Sequence, residues 1–403
     1  MTTQDRLPWR ILVPAVLAPN VFYATGRGAI VPTIPLLAVH MGGSLATAAL
    51  VAALLTVGEL TMTLPASWMV VRFGENNTML LGAAATIAGA LCAMFAPSLA
   101  ILGLGVLLIG LAGSVYLVAR QAWVAITIPN HQRGRAFALV AGSQRTGMLT
   151  GPLLTAAVLG FTDDPRWTFG IAVACGIAVV VVLTVWPTPP EPQNGGGPVD
   201  EGGPGVLRTM WDRRDVLMRL GMATSLLSSM RAVRQVLVPL WGAGLGLSAA
   251  QISLIVALGA AIDVVLFYSG GHITDKYGRL WVAVPTMLGF AVANLGLALS
   301  SQFSGQVAVY IAMSLLMALA NSISSGVNAT MGADLADPRR PAVFLGSWRM
   351  VNETGSAAVP LLLSSVTAVM SLSTAVAVTG VVGLVGAAAM YRYIKRFLPP
   401  TLQ

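Results

Sequence analysis

Arg27–Gly43 reads RGAIVPTIPLLAVHMGG: a charged residue, two prolines and a glycine turn placed inside and just after an apolar run. The frame recurs 204 residues later, where Arg231, Pro239, Gly246 and Ser248 answer Arg27, Pro35, Gly42 and Ser44. At the same offset Ala46, Leu50, Ala53 and Gly74 match Ala250, Leu254, Ala257 and Gly278. So do Gly142, Ser143, Arg145 and Gly151 with Gly346, Ser347, Arg349 and Gly355. Single small-residue matches are cheap in apolar sequence. Two arginines, a proline and the acid pair Glu59/Asp263 in one register are not. The chain reads as one design used twice.

Of its 403 residues 56% are hydrophobic and only 9% charged, against about 25% charged in a soluble domain. Many of the apolar runs reach the roughly 20 residues that span a bilayer, and backbone satisfied within lipid makes such runs helices. They predict twelve spans, near 11–39, 45–68, 77–96, 99–127, 136–160, 167–187, 216–243, 248–270, 280–300, 304–329, 342–363 and 370–391. Pro187–Gly205 holds six prolines and six glycines and reads as a flexible linker. The organisation expected is a six-helix half over 1–187, a cytoplasmic linker over 188–214 and a second six-helix half over 215–403. Val206–Arg214 is either a surface-lying segment, with Met210 and Trp211 down, or an ordinary basic linker end.

The net charge of +8 sits in short loops, which is the pattern of membrane orientation and not of a nucleic-acid face. Sixteen Lys and Arg fall on one side of the predicted spans and only Arg166 on the other, which puts both termini and the linker in the cytoplasm. Two parallel six-helix halves joined by a cytoplasmic loop are the plan of one transporter architecture.

Here the chain resembles the major facilitator superfamily over nearly its whole length. Gly270–Arg279, GGHITDKYGR, is similar to the family's loop motif of a glycine, an aspartate and a Gly-Arg pair. The resemblance implies that Asp275 latches one half to the other near Arg133 to Arg135, with Gly278 and Arg279 completing the turn. The first-half copy keeps only Arg72 and Gly74; Ala66, Ser67 and Val71 stand where glycines and an aspartate would. On the fifth span Gly147-Met-Leu-Thr-Gly151-Pro152 resembles the Gly-x-x-x-Gly-Pro motif of the family's antiporters. Arg120-Gln-Ala-Trp on the fourth is a partial match to its arginine motif. Glycines four apart give a smooth face for close helix contact, and proline permits a bend. The twelve-helix drug:proton antiporter group is the nearest pattern, and it implies alternating access, efflux and proton coupling.

Six arginines lie within the predicted spans, Arg27, Arg120, Arg145, Arg231, Arg234 and Arg349, but only three acids, Glu59, Asp263 and Glu353. Each charge costs at least about 2.5–3.5 kcal/mol at the bilayer centre, so each is expected to face the interior or a wet cavity. Arg27 lies roughly 24 Å along the first helix from the cytoplasmic side. Glu59 is expected near Arg27 or Arg120, Asp263 near Arg231 or Arg234, and Glu353 beside Arg349 four residues before it. Two readings stand: the three acids exchange protons, or the pairs are fixed neutralising contacts. The arginine excess calls for a partner with an anionic or strongly accepting group, so Arg27, Arg145, Arg231, Arg234 and Arg349 are the expected substrate-binding residues.

His40, His131 and His272 have no ligand-like neighbours, so no metal site is expected. Cys92 and Cys175 fall inside spans and read as core residues, and no Gly-Lys-Ser/Thr phosphate loop appears, so no cofactor is expected. The expectation is an all-α, twelve-helix membrane protein, not an enzyme, that works as a monomer in the cytoplasmic membrane with protons and a small molecule as partners. Its function is read as proton-coupled efflux of a small amphiphilic compound. A flippase or exporter for an anionic lipid, an uncoupled or uptake transporter, and a membrane sensor or scaffold are the alternatives.

Overall fold

The computed structural model describes residues 9–128, 130–162, 164–186, 211–302, 305–324, 326–335 and 341–399, which are helical almost throughout with no strand among them. In chain order the helices are α1 (9–40), α2 (Leu45–Phe73), α3 (Glu75–Met94), α4 (Leu99–Thr127), α5 (Asn130–Phe161) and α6 (Pro165–Val185). Then follow α7 (211–244), α8 (Ala249–Tyr277), α9 (Leu280–Ala298), α10 (Gln306–Leu335), α11 (Pro341–Val369) and α12 (Leu372–Phe397). Among the described residues nine helices are long and apolar enough to cross a membrane. α5, α7 and α11 are as long but less apolar, because they carry Arg145, the Arg231/Arg234 pair and Arg349 with Glu353.

Several helices outrun the apolar segments that mark them. α5 begins at Asn130 where the hydropathy pattern predicts 136, and α2 and α11 end at Phe73 and Val369, five and six residues past expectation. Hydropathy reports only the part of a helix that lipid surrounds; the polar turns beyond it remain helical.

α1 is irregular near its prolines, which lack an N–H for the helical ladder. Pro14 sits in a π-helical turn, Val13–Leu17, and the α-helix Ala18–Ile30 stops at Val31–Pro32 before resuming as Thr33–His40. α7 carries the same π-helical turn at Leu217–Gly221, 204 residues on, yet runs unbroken through Pro239. The turns after α1 and α7 use Gly42 (φ 85°) and Gly246 (φ 75°), and those after α2 and α8 use Gly74 (φ 78°) and Gly278 (φ 94°). These are left-handed backbones that favour glycine, and both pairs keep the repeat's register.

The chain forms two compact units, one drawn from Met1–Gly43, Val51–Asp200 and Ala249–Ala257, the other from Ser44–Leu50, Glu201–Ser248 and Leu258–Gln403. Within the first, α1 packs on α5 and α6, and α3 on α4 and α6. Within the second, α7 packs on α11 and α12, and α9 on α10 and α12. The four pairings are the same in both units, so the sequence repeat is a repeat of packing. Besides α1, a second predicted span is interrupted. α10, predicted as one span, breaks after Ile323 and restarts at Val327, with Gly326 at φ 88°.

Candidate functional site

Arg27 is placed by the glycines on either side of it. A Cβ on Gly26 would lie 3.1 Å from the Ala172 Cα of α6, and one on Gly28 would lie 3.1 Å from the Met148 Cα of α5. α1 is thus held tightly on two sides at Arg27. The Arg27 Nη1 meets Glu59 Oε1 of α2 in an ion pair, with the side chains 24% and 29% exposed. Gly113 of α4 leaves room for it: a Cβ there would fall 2.9 Å from the Tyr23 hydroxyl and 3.4 Å from Glu59 Oε1. Tyr23, one turn before Arg27, stacks on Tyr116 with ring centroids 4.1 Å apart. A narrow cleft inside this unit is lined by Tyr23, Arg27, Thr86, Ile109 and Cys175 among others.

Arg120 is buried on α4 and donates to the Asn20 side-chain oxygen. The amide nitrogen of Asn20 donates in turn to the Val140 carbonyl at 3.0 Å and the Ser143 hydroxyl at 2.7 Å, so α1, α4 and α5 share one polar knot. Arg145 follows Ser143 on α5 and is half-buried. Further along α5, a Cβ on Gly147 would lie 2.6 Å from the Val21 carbonyl oxygen, and one on Gly151 would lie 2.5 Å from the Ala29 nitrogen. The Gly-x-x-x-Gly-Pro segment is therefore a seam against α1, and Pro152 lies inside a continuous helix.

In the second unit Arg234 Nη1 pairs with Asp263 Oδ2 at 3.3 Å. The other carboxylate oxygen accepts from Asn321 Nδ2 at 2.9 Å and Ser322 Oγ at 2.6 Å, both in the last turn of α10 before its break. Arg231 sits at that break and donates to the Ser324 carbonyl at 2.6 Å and hydroxyl at 2.7 Å. A helix interrupted within apolar surroundings weakens its own carbonyl ladder, and a guanidinium supplies donors there. Arg349 Nε meets Glu353 Oε1 at 2.5 Å, four residues apart on α11. Gly355 packs on Ser225 and Ser229 of α7, and the Ser229 hydroxyl donates to its carbonyl at 2.8 Å.

Each of the three acids thus meets an arginine named for it, and where two were open the partners are Arg27 for Glu59 and Arg234 for Asp263. Gly278 takes the left-handed turn of its motif, and Arg279 grips Asp334 of α10 through Nε at 2.9 Å and Nη2 at 3.2 Å. The side chains of Asp275, Arg133, Arg135, His131 and His272 lie outside the described residues, as does the linker over 187–210. Trp211 is exposed, with Arg214 over its ring at 4.8 Å. Trp123, Trp241 and Trp348 are buried. Among the described residues no group of His, Cys, Asp and Glu could hold a metal ion.

The sequence reading missed Asn20, Tyr23, Asn321, Ser322, Ser324 and Asp334. One signal was present: Ser324 stands at the repeat position of Arg120. Both cross-link α4 or α10 to the first helix of their unit, with the arginine on opposite sides of the link.

A family model described as the Major Facilitator Superfamily matches residues 20–233 and again 220–402. The multidrug resistance protein MdtH of Klebsiella pneumoniae is 25% identical over 281 residues, which cover 69% of this chain and 67% of that one. An uncharacterized transporter of the same type from Mycobacterium tuberculosis is 25% identical over 401 residues, 98% of this chain and 86% of that one. Among solved structures, a POT family transporter in complex with a thioalcohol-conjugated peptide superposes with a TM-score of 0.77 at 13% identity, covering 96% of each chain. A D-xylose–proton symporter superposes with a TM-score of 0.72 at 16% identity over 98% of each chain; at these identities the likeness is one of fold. The chain, an all-helical, multi-pass membrane protein, belongs to the major facilitator superfamily of transporters.

Proposed function

We propose that the protein exports a small amphiphilic compound in exchange for protons, by alternating access, as a single chain with both termini in the cytoplasm. One observation carries the coupling: two acids at one register of the repeat, Glu59 and Asp263, are each held by an arginine and each partly exposed. A guanidinium favours the ionised carboxylate and removal from water favours the neutral acid. A carboxyl balanced between them changes protonation when a ligand or a helix movement alters either influence. Glu353 with Arg349 is a third arginine-held acid, its partner lying on the same helix. Arg27, Arg145, Arg231, Arg234 and Arg349 are the proposed ligand contacts. Asp275, Gly278, Arg279, Arg120, Gly147, Gly151 and Pro152 are the proposed latch and sliding surfaces. The direction of transport is supported by the multidrug resistance relatives.

The charge of the compound sets the sign of coupling. An anion that took Arg27 from Glu59 would favour protonation of Glu59, and the two would travel together. Exchange requires a compound that competes with the proton. Proteoliposomes with an imposed pH gradient test this with fluorescent amphiphiles of positive, zero and negative charge. At least one of Glu59→Gln and Asp263→Asn is expected to lose gradient-driven accumulation while retaining equilibrative exchange. Wild-type flux that ignores the gradient would overturn coupling, and an anion that moves in the same direction as protons would overturn exchange.

A further inference from the structure

We propose a division of labour between the two acids: Glu59 takes up and releases the coupling proton, while Asp263 stays a permanent anion held by Asn321. The inference rests on the proton-coupled reading and narrows it to one residue. The repeat places the acids at equivalent positions, but their surroundings differ in kind.

Asp263 is pinned from two other helices. Arg234 of α7 occupies one oxygen, and Asn321 and Ser322 of α10 occupy the other. Every such donor favours the carboxylate over the acid. Ser322 has one hydrogen and a second acceptor, the Ala318 carbonyl at 2.8 Å, so its hydroxyl is able to turn and accept from a protonated acid. The amide nitrogen of Asn321 has only hydrogens to offer, and presenting the amide oxygen in its place requires the whole group to turn over. It is the donor that a proton on that oxygen would confront, which makes Asn321 the positioning residue.

Glu59 has a different shell. Arg27 of α1 supplies its hydrogen bond, on one oxygen. Tyr23, also of α1, brings its hydroxyl to the same cluster, and α4 contributes glycine there at Gly113. Tyr116 and Arg120 of α4 stand behind Tyr23. The Glu59 side chain is 29% exposed against 17% for Asp263. Its longer stem gives it one more rotatable bond, and its arginine lines the cleft among Tyr23, Thr86 and Ile109. A proton arriving from water adds to a Glu59 oxygen and departs to water when the carboxylate re-forms. Meanwhile the Arg27 guanidinium keeps its charge and turns to the Tyr23 hydroxyl, cleft water or ligand.

Infrared difference spectroscopy of the purified protein in lipid nanodiscs, titrated from about pH 5 to about pH 9 and so above the ordinary carboxyl range, reads this without a transported compound. The carbonyl stretch of a protonated carboxyl is expected to titrate in the wild type, to vanish in Glu59→Gln and to persist in Asp263→Asn. In Asn321→Leu a second titrating carboxyl is expected, itself lost when Asp263→Asn is added. A signal lost in Asp263→Asn and kept in Glu59→Gln would overturn the division while leaving proton coupling intact, as would a signal that survives both. An Asn321→Leu protein with only the wild-type signal would overturn the role of Asn321. A wild type with no titrating carboxyl would overturn the division together with the coupled reading beneath it.

Discussion

In the first unit the repeated arginine, Arg27, pairs with the repeated acid, Glu59; in the second, the arginine that pairs with Asp263 is Arg234, three residues beyond the repeated Arg231. Arg231 reaches to Ser324 at the break in α10, one turn before Arg234 on α7. Residues three apart share a helix face, so a one-turn shift of the pairing charge frees the original position for a new partner. Apart from the interruptions in α1 and α10, the framework shows no such drift. The π-helical turns, the left-handed glycines and the four helix pairings all keep their register. Backbone geometry is fixed by sterics that a single substitution cannot renegotiate, whereas a long charged side chain can change partners within reach of its own helix. The repeat therefore predicts packing well and partnership poorly.

The framework half of that contrast is broken most directly at the shared seam. Gly151 of α5, packed against α1, and Gly355 of α11, packed against α7, each abut backbone or a short serine. Overpacking costs about 1–3 kcal/mol where side chains are able to move, and contact with backbone leaves nothing to move. Gly151→Leu and Gly355→Leu are expected to depress the thermal midpoint of the purified protein by similar, large amounts, or to abolish its monodisperse yield. If one half tolerates leucine, the seams are not equivalent.

The partnership half is sharpened by removing each arginine. Arg27→Leu strips Glu59 of its counter-charge, and breaking a buried pair costs about 3–5 kcal/mol, reduced here because both side chains are about a quarter exposed. The carboxyl left behind is tolerated best when neutral. The folded variant then binds more protons than the unfolded chain, and its stability falls as pH rises. Arg27→Leu should therefore melt higher at acid than at alkaline pH. Arg234→Leu should show a weaker pH dependence, because Asn321 and Ser322 still serve Asp263. Melting curves at several pH values decide between them, and equal slopes would erase the distinction. Arg231→Leu comes next: losing charge-assisted bonds to Ser324 costs about 1.5–3 kcal/mol, and faster amide exchange is expected around 320–330 than elsewhere in α10.

Much of this was legible in the sequence, for a physical reason. Apolar runs, Lys and Arg asymmetry and a constant offset are summed over many residues, so the helical fold and its duplication stood out. The Arg349–Glu353 pair was legible because both partners lie on one helix. The polar knot at Asn20, Arg120 and Ser143 was not, since it depends on three helices meeting at one depth. The break in α10 was equally hidden: ILE-SER-SER-GLY is compatible with a continuous span, and only the left-handed Gly326 and the Arg231 donors reveal the interruption.

The smallest effect is expected at Glu353, and it bears on whether all three acids deserve one description. Its pair with Arg349 lies within one helix, and the side chains are 37% and 30% exposed, the most open of the three pairs. Such i,i+4 pairs contribute about 0.3–0.5 kcal/mol. Glu353→Gln keeps the side chain's shape and an acceptor for Arg349, so the thermal midpoint should barely move. Gradient-driven transport is expected to stay within about two-fold of wild type, a change worth less than 1 kcal/mol. A collapse of transport with an unchanged midpoint would instead move Glu353 into the coupling machinery and leave α11, not α2, as the helix where the proton is handled.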